Sequence, residues 1–566
     1  MTAVSETGAS SHPGDTWHDI NWRKVHQNVR RLQARIVQAT KAGKWGKVQA
    51  LQRLLTRSLS GKALAVKRVT ENQGKRTAGV DGQTWSTPAA KTAAIGNLRQ
   101  HGYRAQPLRR VTIPKANGKQ RPLGIPTMKD RAMQALYLLA LDPVAETTAD
   151  PNSYGFRKGR CVQDAIEQCF IVFGQPGSAV WILEGDIQAC FDHISHEWLA
   201  QHIPIEKTIL RQWLKAGYLE KGQLFPTEAG TPQGGIISPT LANMTLDGLE
   251  AAISAGYYLH QRKQAKVHFI RYADDFIITA ADRAFLENEV TPRLQAFLQE
   301  RGLTLSPTKT HISHISDGFD FLGFNIRKYK GKLLTKPAKT NVQRFLNQLR
   351  ADIFAHTHTA PLDLIALLNP KLKGWAHFYR HGVSQRTFDY LDHQLFWALW
   401  HWVKRRHPTK SKSWRIRHYF AHPRHKLHFC HYKVDEKGQR RCLQLFHTAS
   451  IPIKRHVKVR QLANPYDPDW FAYFELRQEQ QMSHNIRLSP QLYRLWQSQQ
   501  GICPLCRQKI NFDSGWQTHH IHWRSLGGLD TPDNLVLLHP NCHRQLHSRG
   551  LSVSKPHLPT EDVCQA

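Results

Sequence analysis

Residues 267–279 read Val-His-Phe-Ile-Arg-Tyr-Ala-Asp-Asp-Phe-Ile-Ile-Thr. Short apolar runs at 267–270 and 276–279 favour two β-strands. The paired acids between them, Asp274 and Asp275, therefore fall at the tip of a β-hairpin, a place that Asn, Gly or Ser usually fills. Because carboxylates beside buried strands put negative charge next to an apolar core, the pair indicates a metal site. For this short motif alone, a solvated acidic turn is the alternative interpretation.

A third carboxylate closes an earlier apolar run. Residues 180–185 have the pattern of a buried strand, and Asp186 follows them directly. An acid at a strand end can face a cleft while its backbone stays fixed in a sheet. Two divalent ions about 4 Å apart need ligands beyond one acid pair, so Asp186 is the candidate partner of Asp274 and Asp275. The alternative is that Asp186 caps a helix beginning near His193.

The spacing from Asp186 to Phe191, followed further on by residues 272–275, resembles the palm of reverse transcriptases. Five further segments carry the same resemblance. Residues 114–126 and 152–159 resemble two fingers motifs, residues 230–239 the template grip, residues 305–310 the motif after it, and residues 321–324 the primer grip. Over about residues 20–550 the chain is similar to proteins encoded by bacterial group II introns. The resemblance implies an α+β fold: a right-hand polymerase with fingers, palm and α-helical thumb, then a C-terminal zinc-containing ββα HNH domain.

The same resemblance implies the roles of the polymerase residues. Asp186 and Asp274, with Asp275 assisting, would bind two Mg²⁺ ions that activate a primer 3′-hydroxyl and stabilise the departing pyrophosphate. A lysine and an arginine would hold the triphosphate of an incoming dNTP, an aromatic ring would exclude a ribose 2′-hydroxyl, and a glutamine would steady the template or nucleotide pocket. The lysine is Lys115, the arginine is Arg121, the aromatic residue is Phe191 and the glutamine is Gln233.

The composition indicates a polyanionic partner. The 566-residue chain has 78 Lys and Arg against 43 Asp and Glu, a formal net charge of +35, which predicts salt-sensitive binding to nucleic acid. A ribosomal or histone-like binder is the alternative, but 40% hydrophobic residues are enough for large cores. No apolar stretch reaches the roughly 18 residues of a membrane span. The nine cysteines lack a paired framework, which favours a reducing cytoplasm over disulfides. The resemblance implies a bacterial ribonucleoprotein, with an organellar location less favoured.

Helical spacing replaces strand patterns after residue 335, with apolar faces beginning at Phe345, Leu364 and Leu391, as expected for a thumb. Residues 401–460 then combine 17 Lys or Arg with interleaved aromatic residues. Cations for phosphates beside rings for unpaired bases are typical of RNA binding. In the family that the chain resembles, this stretch is the maturase domain that binds intron RNA. The alternative is a solvated basic surface whose aromatic residues belong to the core.

The C-terminal segment carries a second metal pattern. Cys503 and Cys506 have the spacing of a zinc knuckle, and His539 with Cys542 could complete a tetrahedral structural Zn²⁺ site. His539 stands where many relatives carry cysteine, which leaves the fourth ligand open. The histidines that follow Cys506 resemble those of an HNH endonuclease, a ββα unit around one divalent ion. The resemblance implies that His519, His543 and His547 bind that ion. It also implies that His520 is the general base and that Asn534 orients the base. A DNA-binding finger with a single structural zinc is the alternative.

These modules predict a multifunctional protein that assists intron splicing, copies intron RNA into DNA and cuts the second strand of the DNA target. Its partners would be intron RNA, target DNA and dNTPs. A splicing-only RNA-binding maturase and a defence or diversity-generating reverse transcriptase are the alternatives. The predicted organisation is a disordered tail at 1–17, a basic helical extension at 18–89, fingers and palm at 90–334, thumb and maturase domain at 335–461, a linker with possible DNA contacts at 462–492, the HNH domain at 493–550 and a tail at 551–566.

Overall fold

The computed structural model describes residues 17–114, 118, 120–254, 264–421, 427–434, 439–483, 490–512 and 514–555. Most of both expected tails, 1–16 and 556–566, and the expected triphosphate ligand Lys115 lie outside the described residues. Within those ranges, no helix combines the length and the apolar character that a membrane span needs.

The elements follow in chain order. Up to residue 337 they are α1 (Trp22–Lys41), α2 (Trp45–Arg57), α3 (Leu59–Glu71), α4 (Pro88–Asn97), β1 (Leu108–Pro114), β2 (Gln120–Ile125), α5 (Met128–Thr148), α6 (Val162–Phe173), β3 (Trp181–Asp186), α7 (Cys190–His193), α8 (His196–His202), α9 (Lys207–Leu214), β4 (Tyr218–Glu220), β5 (Gln223–Phe225), α10 (Ser238–Leu246), α11 (Leu249–Ser254), β6 (His268–Tyr272), β7 (Asp275–Ala280), a helical turn (Arg283–Phe285), α12 (Thr291–Gln299), β8 (His311–His314), β9 (Phe319–Phe321), β10 (Phe324–Tyr329) and β11 (Lys332–Pro337).

The remaining elements are α13 (Lys339–Ala355), α14 (Pro361–Tyr379), α15 (Gln385–Arg406), α16 (Lys412–Tyr419), β12 (Cys430–Val434), β13 (Arg440–Gln444), α17 (Phe471–Ser483), α18 (Pro490–Ser498), β14 (Gln517–His520), β15 (Leu535–Leu538) and α19 (Pro540–Arg549).

The basic N-terminal extension is a group of helices around α5. Helix α1 begins after Asn21, whose side chain accepts a hydrogen bond from the Lys24 amide at 3.1 Å. Apolar residues at helical spacing, such as Val29 and Ile36, are buried, and α1, α2 and α3 pack against α5. Helix α5 is consequently buried along most of its length.

A four-stranded antiparallel sheet in the order β6-β7-β3-β8 forms the palm. Its strands alternate between two hydrophobic cores: Leu183 and Ile278 face one core, whereas Ile182 and Ile277 face the other. The sheet is therefore covered on both faces. A Cβ atom at Gly185 would lie 2.2 Å from the Phe276 ring, so glycine lets that ring cross the neighbouring strand just before β3 ends.

Strands β1 and β2 form an antiparallel hairpin in a second sheet, of order β2-β1-β4-β5, as expected for the fingers. Beyond the palm, β9, β10 and β11 form a small sheet whose first turn, Leu322-Gly323, has positive φ at both residues. Helices α13, α14 and α15 follow and share one apolar core, which includes Leu346, Leu364 and Leu391. The expected helical thumb is present.

Residues 462–483, expected to begin a linker, pack on the N-terminal extension and on the fingers and palm region. Lys41 Nζ lies 2.5 Å from Asp467 Oδ2, and the Phe474 ring of α17 covers Gly159. After α18, strands β14 and β15 pair antiparallel and α19 follows, which gives the ββα order expected for the C-terminal unit.

Candidate active sites

Three carboxylates meet where β3 ends beside the β6–β7 turn. Asp186 is the direct strand partner of Asp275, and Asp274 is the second residue of the two-residue turn. Ala273, the first turn residue, has φ 59°, the left-handed conformation that a two-residue hairpin turn requires. The structure thus brings together acids that come from two distant parts of the sequence.

The two hairpin acids have raised pKa values. Loss of water around the carboxyl, then repulsion from Asp274 and Asp186, raise the pKa of Asp275 to about 7, even though the residue as a whole is exposed. Burial, with a further contribution from Asp186, raises the pKa of Asp274. Crowded carboxylate oxygens are the ligand set that Mg²⁺ prefers, so the residues fit a divalent metal.

Lys309 is a member of this site that the sequence analysis missed. It lies in the expected motif at 305–310, but the motif gave no indication of its contact. Its Nζ atom donates a 2.8 Å hydrogen bond to Asp186 Oδ2, and this bond raises the pKa of Lys309. The ammonium partly neutralises the acid cluster.

Arg121 and Gln233, two of the expected nucleotide-binding residues, are bonded to each other. Arg121 Nε donates a 2.9 Å hydrogen bond to Gln233 Oε1, and Gln233 Nε2 donates to Asp192 Oδ1 at 3.3 Å. The Gln233 carbonyl accepts from the Gly124 amide at 2.8 Å, which fastens the 230–235 loop to β2. Asp192 is thus a positioning contact that the sequence analysis did not assign.

Phe191 lines a cavity of about 340 Å³ together with Asp192 and Gln233. Its ring meets Phe156 edge to face, with ring centroids 6.3 Å apart. Opposite it, Gly234 has φ 113°, and a Cβ there would lie 2.7 Å from the Gly124 carbonyl oxygen. Glycine at position 234 therefore lets the 230–235 loop approach β2 closely.

The C-terminal cysteines and a histidine form a buried cluster whose ligand atoms all lie within 4.8 Å of one another: Cys503, Cys506, His539 and Cys542. His539 Nδ1 is 3.2 Å from Cys506 Sγ, and its Nε2 is 3.2 Å from the Lys509 carbonyl oxygen. Because a carbonyl can only accept, Nε2 carries the proton and Nδ1 is presented to the thiols. The donor set fits a tetrahedral zinc ion with three sulfur ligands and one nitrogen ligand.

A second cluster lies on the ββα unit itself. His519 on β14 and the α19 residues His543 and His547 bring their ring nitrogens within 4.8 Å of one another. Burial, followed by repulsion from His543 and His547, lowers the pKa of His519 to about 4. The ring therefore stays neutral near pH 7, and a neutral imidazole is the form that binds a metal ion.

The expected role of Asn534 needs correction. Its amide nitrogen donates to the carbonyl oxygens of His522 and Leu529, and its Oδ1 accepts from the His522 amide at 2.7 Å. It therefore closes the loop between β14 and β15, rather than holding the ring of the expected base. That ring, His520, is bonded through Nε2 to Asp530 Oδ1 at 2.6 Å. Asp530 follows two glycines and gave no sequence signal of this role.

A third cluster, Cys161, Asp164 and His456, has the same closeness of possible ligand atoms. Here the buried carboxylate is already satisfied: Asp164 Oδ1 bonds with His456 Nε2 at 2.9 Å, the Val459 amide at 2.7 Å and Arg477 Nη2 at 3.3 Å. With an arginine on that oxygen, the cluster is a charge network that ties α17 and the preceding segment to α6.

Comparison with known families gives four matches along the chain. Residues 17–98 match the N-terminal domain of reverse transcriptase, and residues 113–326 match reverse transcriptase (RNA-dependent DNA polymerase). Residues 342–420 match the group II intron maturase-specific domain, and residues 503–549 match HNH endonuclease.

Among curated proteins, Protein YkfC of Escherichia coli strain K12 is 30% identical over 369 residues, which cover 58% of this chain and 95% of that protein. The group II intron-encoded protein LtrA of Lactococcus lactis subsp. cremoris is 27% identical over 445 residues, 62% of this chain and 74% of LtrA. A structure of apo telomerase from Candida tropicalis, truncated from its C-terminal domain, aligns with a TM-score of 0.32 and 14% identity over 41% of this chain and 55% of that one.

Proposed function

Since the chain belongs to the family of group II intron-encoded proteins, with reverse transcriptase, maturase and HNH endonuclease domains, we propose that its palm acids copy intron RNA into DNA. The observation that carries this proposal is the meeting of Asp186, Asp274 and Asp275 at one end of the palm sheet. Both enzyme families depend on metal ions. The three acids would hold Mg²⁺, which supplies activation of the primer 3′-hydroxyl and stabilisation of pyrophosphate.

The fingers residues would bind and select the dNTP. The planar guanidinium of Arg121 suits a triphosphate oxygen pair, and its bond to Gln233 fixes the direction of the fork. Lys115 would add a point charge for the triphosphate. Phe191, held by Phe156, would collide with a ribose 2′-hydroxyl and so favour deoxynucleotides.

The C-terminal unit would cut the second DNA strand. His519, His543 and His547 would hold one divalent ion, while Cys503, Cys506, His539 and Cys542 would hold a structural Zn²⁺. With Nε2 of His520 donating to Asp530, a neutral ring keeps its lone pair at Nδ1, where it can take a proton from the attacking water.

The maturase region would bind intron RNA. Its thumb helix α15 exposes Tyr390 and Trp397 and ends in Lys404-Arg405-Arg406, which combines rings for stacking with cations for phosphates. The intron RNA would choose most of the DNA target by base pairing.

Replacement of Asp274 tests the polymerase assignment. Asp274→Asn keeps the size of the side chain but removes one charge, so we expect primer extension on poly(rA) with an oligo(dT) primer and Mg²⁺ to fall by about 10³-fold. Asp317→Asn, in an exposed turn after β8, is the matched control and should extend like the parent. Parental extension by Asp274→Asn would refute the assignment.

A further inference from the structure

Helix α19 has a second set of contacts besides its metal-facing histidines. His543 and His547 face His519, whereas Asn541 and Gln545, four residues apart on another stripe of the helix, are both buried and make contacts with the N-terminal extension. One helix therefore connects the nuclease ligands to a region more than 500 residues earlier in the chain.

Trp17 is the centre of this contact. Trp17 was expected in the disordered tail at 1–17, but it is only 1% exposed and packs with the extension. Its Nε1 donates a 2.9 Å hydrogen bond to Asn541 Oδ1. The ring packs edge to face on Trp22 with centroids 4.9 Å apart, and Lys91 Nζ lies 5.3 Å from its centroid. The side chain is held on the α1 side and on the α4 side, so its indole N–H gives α19 a fixed partner.

Gln545 forms the second half of the contact. Its Nε2 atom donates to the carbonyl oxygens of His18 and Ile20 at 2.5 and 3.1 Å. Both acceptors belong to backbone that precedes α1, so the bonds depend on the path of the chain and not on a neighbouring side chain. Ion pairs border this centre, Arg544 with Glu71 at 3.4 Å and Arg549 with Asp19 at 3.3 Å.

The apolar interior is continuous across the same boundary. A single cluster of buried residues contains Trp17, Trp22 and Val66 of the extension and Leu537, Cys542 and Leu546 of the ββα unit. On another side of the unit, Lys509 Nζ contacts Glu479 Oε1 of α17 at 3.3 Å. The nuclease unit is therefore packed into the polymerase body rather than suspended from it.

We propose that residues 17–20 form a dock that fixes the HNH unit relative to the polymerase, with Trp17 and Gln545 as positioning residues for second-strand cleavage. The inference rests on the proposed nuclease role of His519, His543 and His547. A docked nuclease cuts at a fixed distance from the primer site of the palm, so the new 3′ end forms where the polymerase can reach it. In this proposal the N-terminal extension positions the endonuclease for cleavage.

The test uses the full chain assembled with its intron RNA, on a DNA duplex that joins the sequences flanking the intron. Trp17→Ala and Gln545→Leu should each lower the rate of second-strand cleavage by about tenfold and spread the cut over neighbouring nucleotides, because a small misplacement of catalytic groups is costly. Trp17→Phe, which keeps a buried ring but loses the donor to Asn541, should give a cleavage rate and a spread of cuts between those of Trp17→Ala and the parent. Trp45→Ala, an exposed tryptophan on α2, is the matched control. Extension of oligo(dT) on poly(rA) should remain parental in all four.

A parental rate and cut position in both Trp17→Ala and Gln545→Leu would overturn the dock. An equal fall of cleavage and primer extension in both variants would also overturn the dock, because a contact needed only for general folding would give that result. His519→Ala separates the two proposals. If His519→Ala abolishes cleavage while the dock variants cut like the parent, only the dock fails, whereas cleavage by His519→Ala would sink the nuclease assignment together with the dock.

Discussion

The palm site and the HNH site both gather candidate metal ligands, but different interactions hold the ligands in place. The palm acids lie at one end of a sheet that is covered by apolar side chains on both faces. The HNH histidines stand on one strand and the helix of a small ββα unit, which is too small to bury much apolar surface by itself. It relies on the cysteine cluster and on contacts with the N-terminal extension. Perturbations that spare the polymerase should therefore disable the nuclease.

The largest expected effect comes from breaking the cysteine cluster. Cys506→Ser should lose the proposed zinc ion, unfold the C-terminal unit locally and reduce second-strand cleavage to background, because structural zinc sites contribute folding energy directly. Primer extension should stay within about twofold of the parent, as expected for distant sites. Metal analysis and both activities measure the effect. Equal loss of both activities would show that the two sites do not depend on separate supports.

The next test removes a ligand from the second cluster but keeps the fold. His519→Ala should lower cleavage by at least about 10²-fold, since it takes away a proposed ion ligand. The zinc content should remain that of the parent, unlike in Cys506→Ser. Loss of zinc in His519→Ala would mean that the two clusters form one site.

Phe191→Ala sharpens the comparison on the polymerase side. The cavity beside Gln233 would then admit a ribose 2′-hydroxyl, and discrimination against ribonucleotides should fall by about 10- to 100-fold. Single-nucleotide extension with dTTP and UTP on poly(rA) measures the ratio. Phe156→Leu, which removes only the supporting ring, should give a smaller change in the same direction. An unchanged ratio in Phe191→Ala would exclude the proposed steric role.

The smallest effect is expected at Lys309. Lys309→Gln removes a mostly exposed ammonium from Asp186, so the acids should bind Mg²⁺ more tightly and the concentration for half-maximal extension should fall by about two- to fivefold. Lys309→Arg keeps the charge and should behave like the parent. A higher Mg²⁺ requirement in Lys309→Gln would mean that the lysine contacts substrate instead of competing for the acid.

The sequence predicted those parts of the structure that local pattern determines. Two short apolar runs within residues 267–279 predicted the palm hairpin, and cysteine spacing predicted the C-terminal cluster. Contacts between side chains from distant segments left no such pattern: Asp192 with Gln233, Lys309 with Asp186, and Trp17 with Asn541. Asn534 was wrongly expected to hold the His520 ring because its position next to β15 is equally compatible with a loop contact. Residues 462–483 resembled a linker because their partners, among them Gly159, are far away in the chain.

The pairing of the buried Asp164 carboxylate depends on the order in which the chain is synthesised. Arg477, one of its partners, is 313 residues further along the chain, and at about 5–20 residues per second a ribosome needs roughly 15 to 60 s to produce it. His456 is made first, 292 residues after Asp164, and until both partners exist the carboxylate that α6 buries is incompletely paired. A buried charge without its partner costs about 3–5 kcal/mol. This corner of the nascent protein therefore closes late, and a chain released before residue 456 would leave it open.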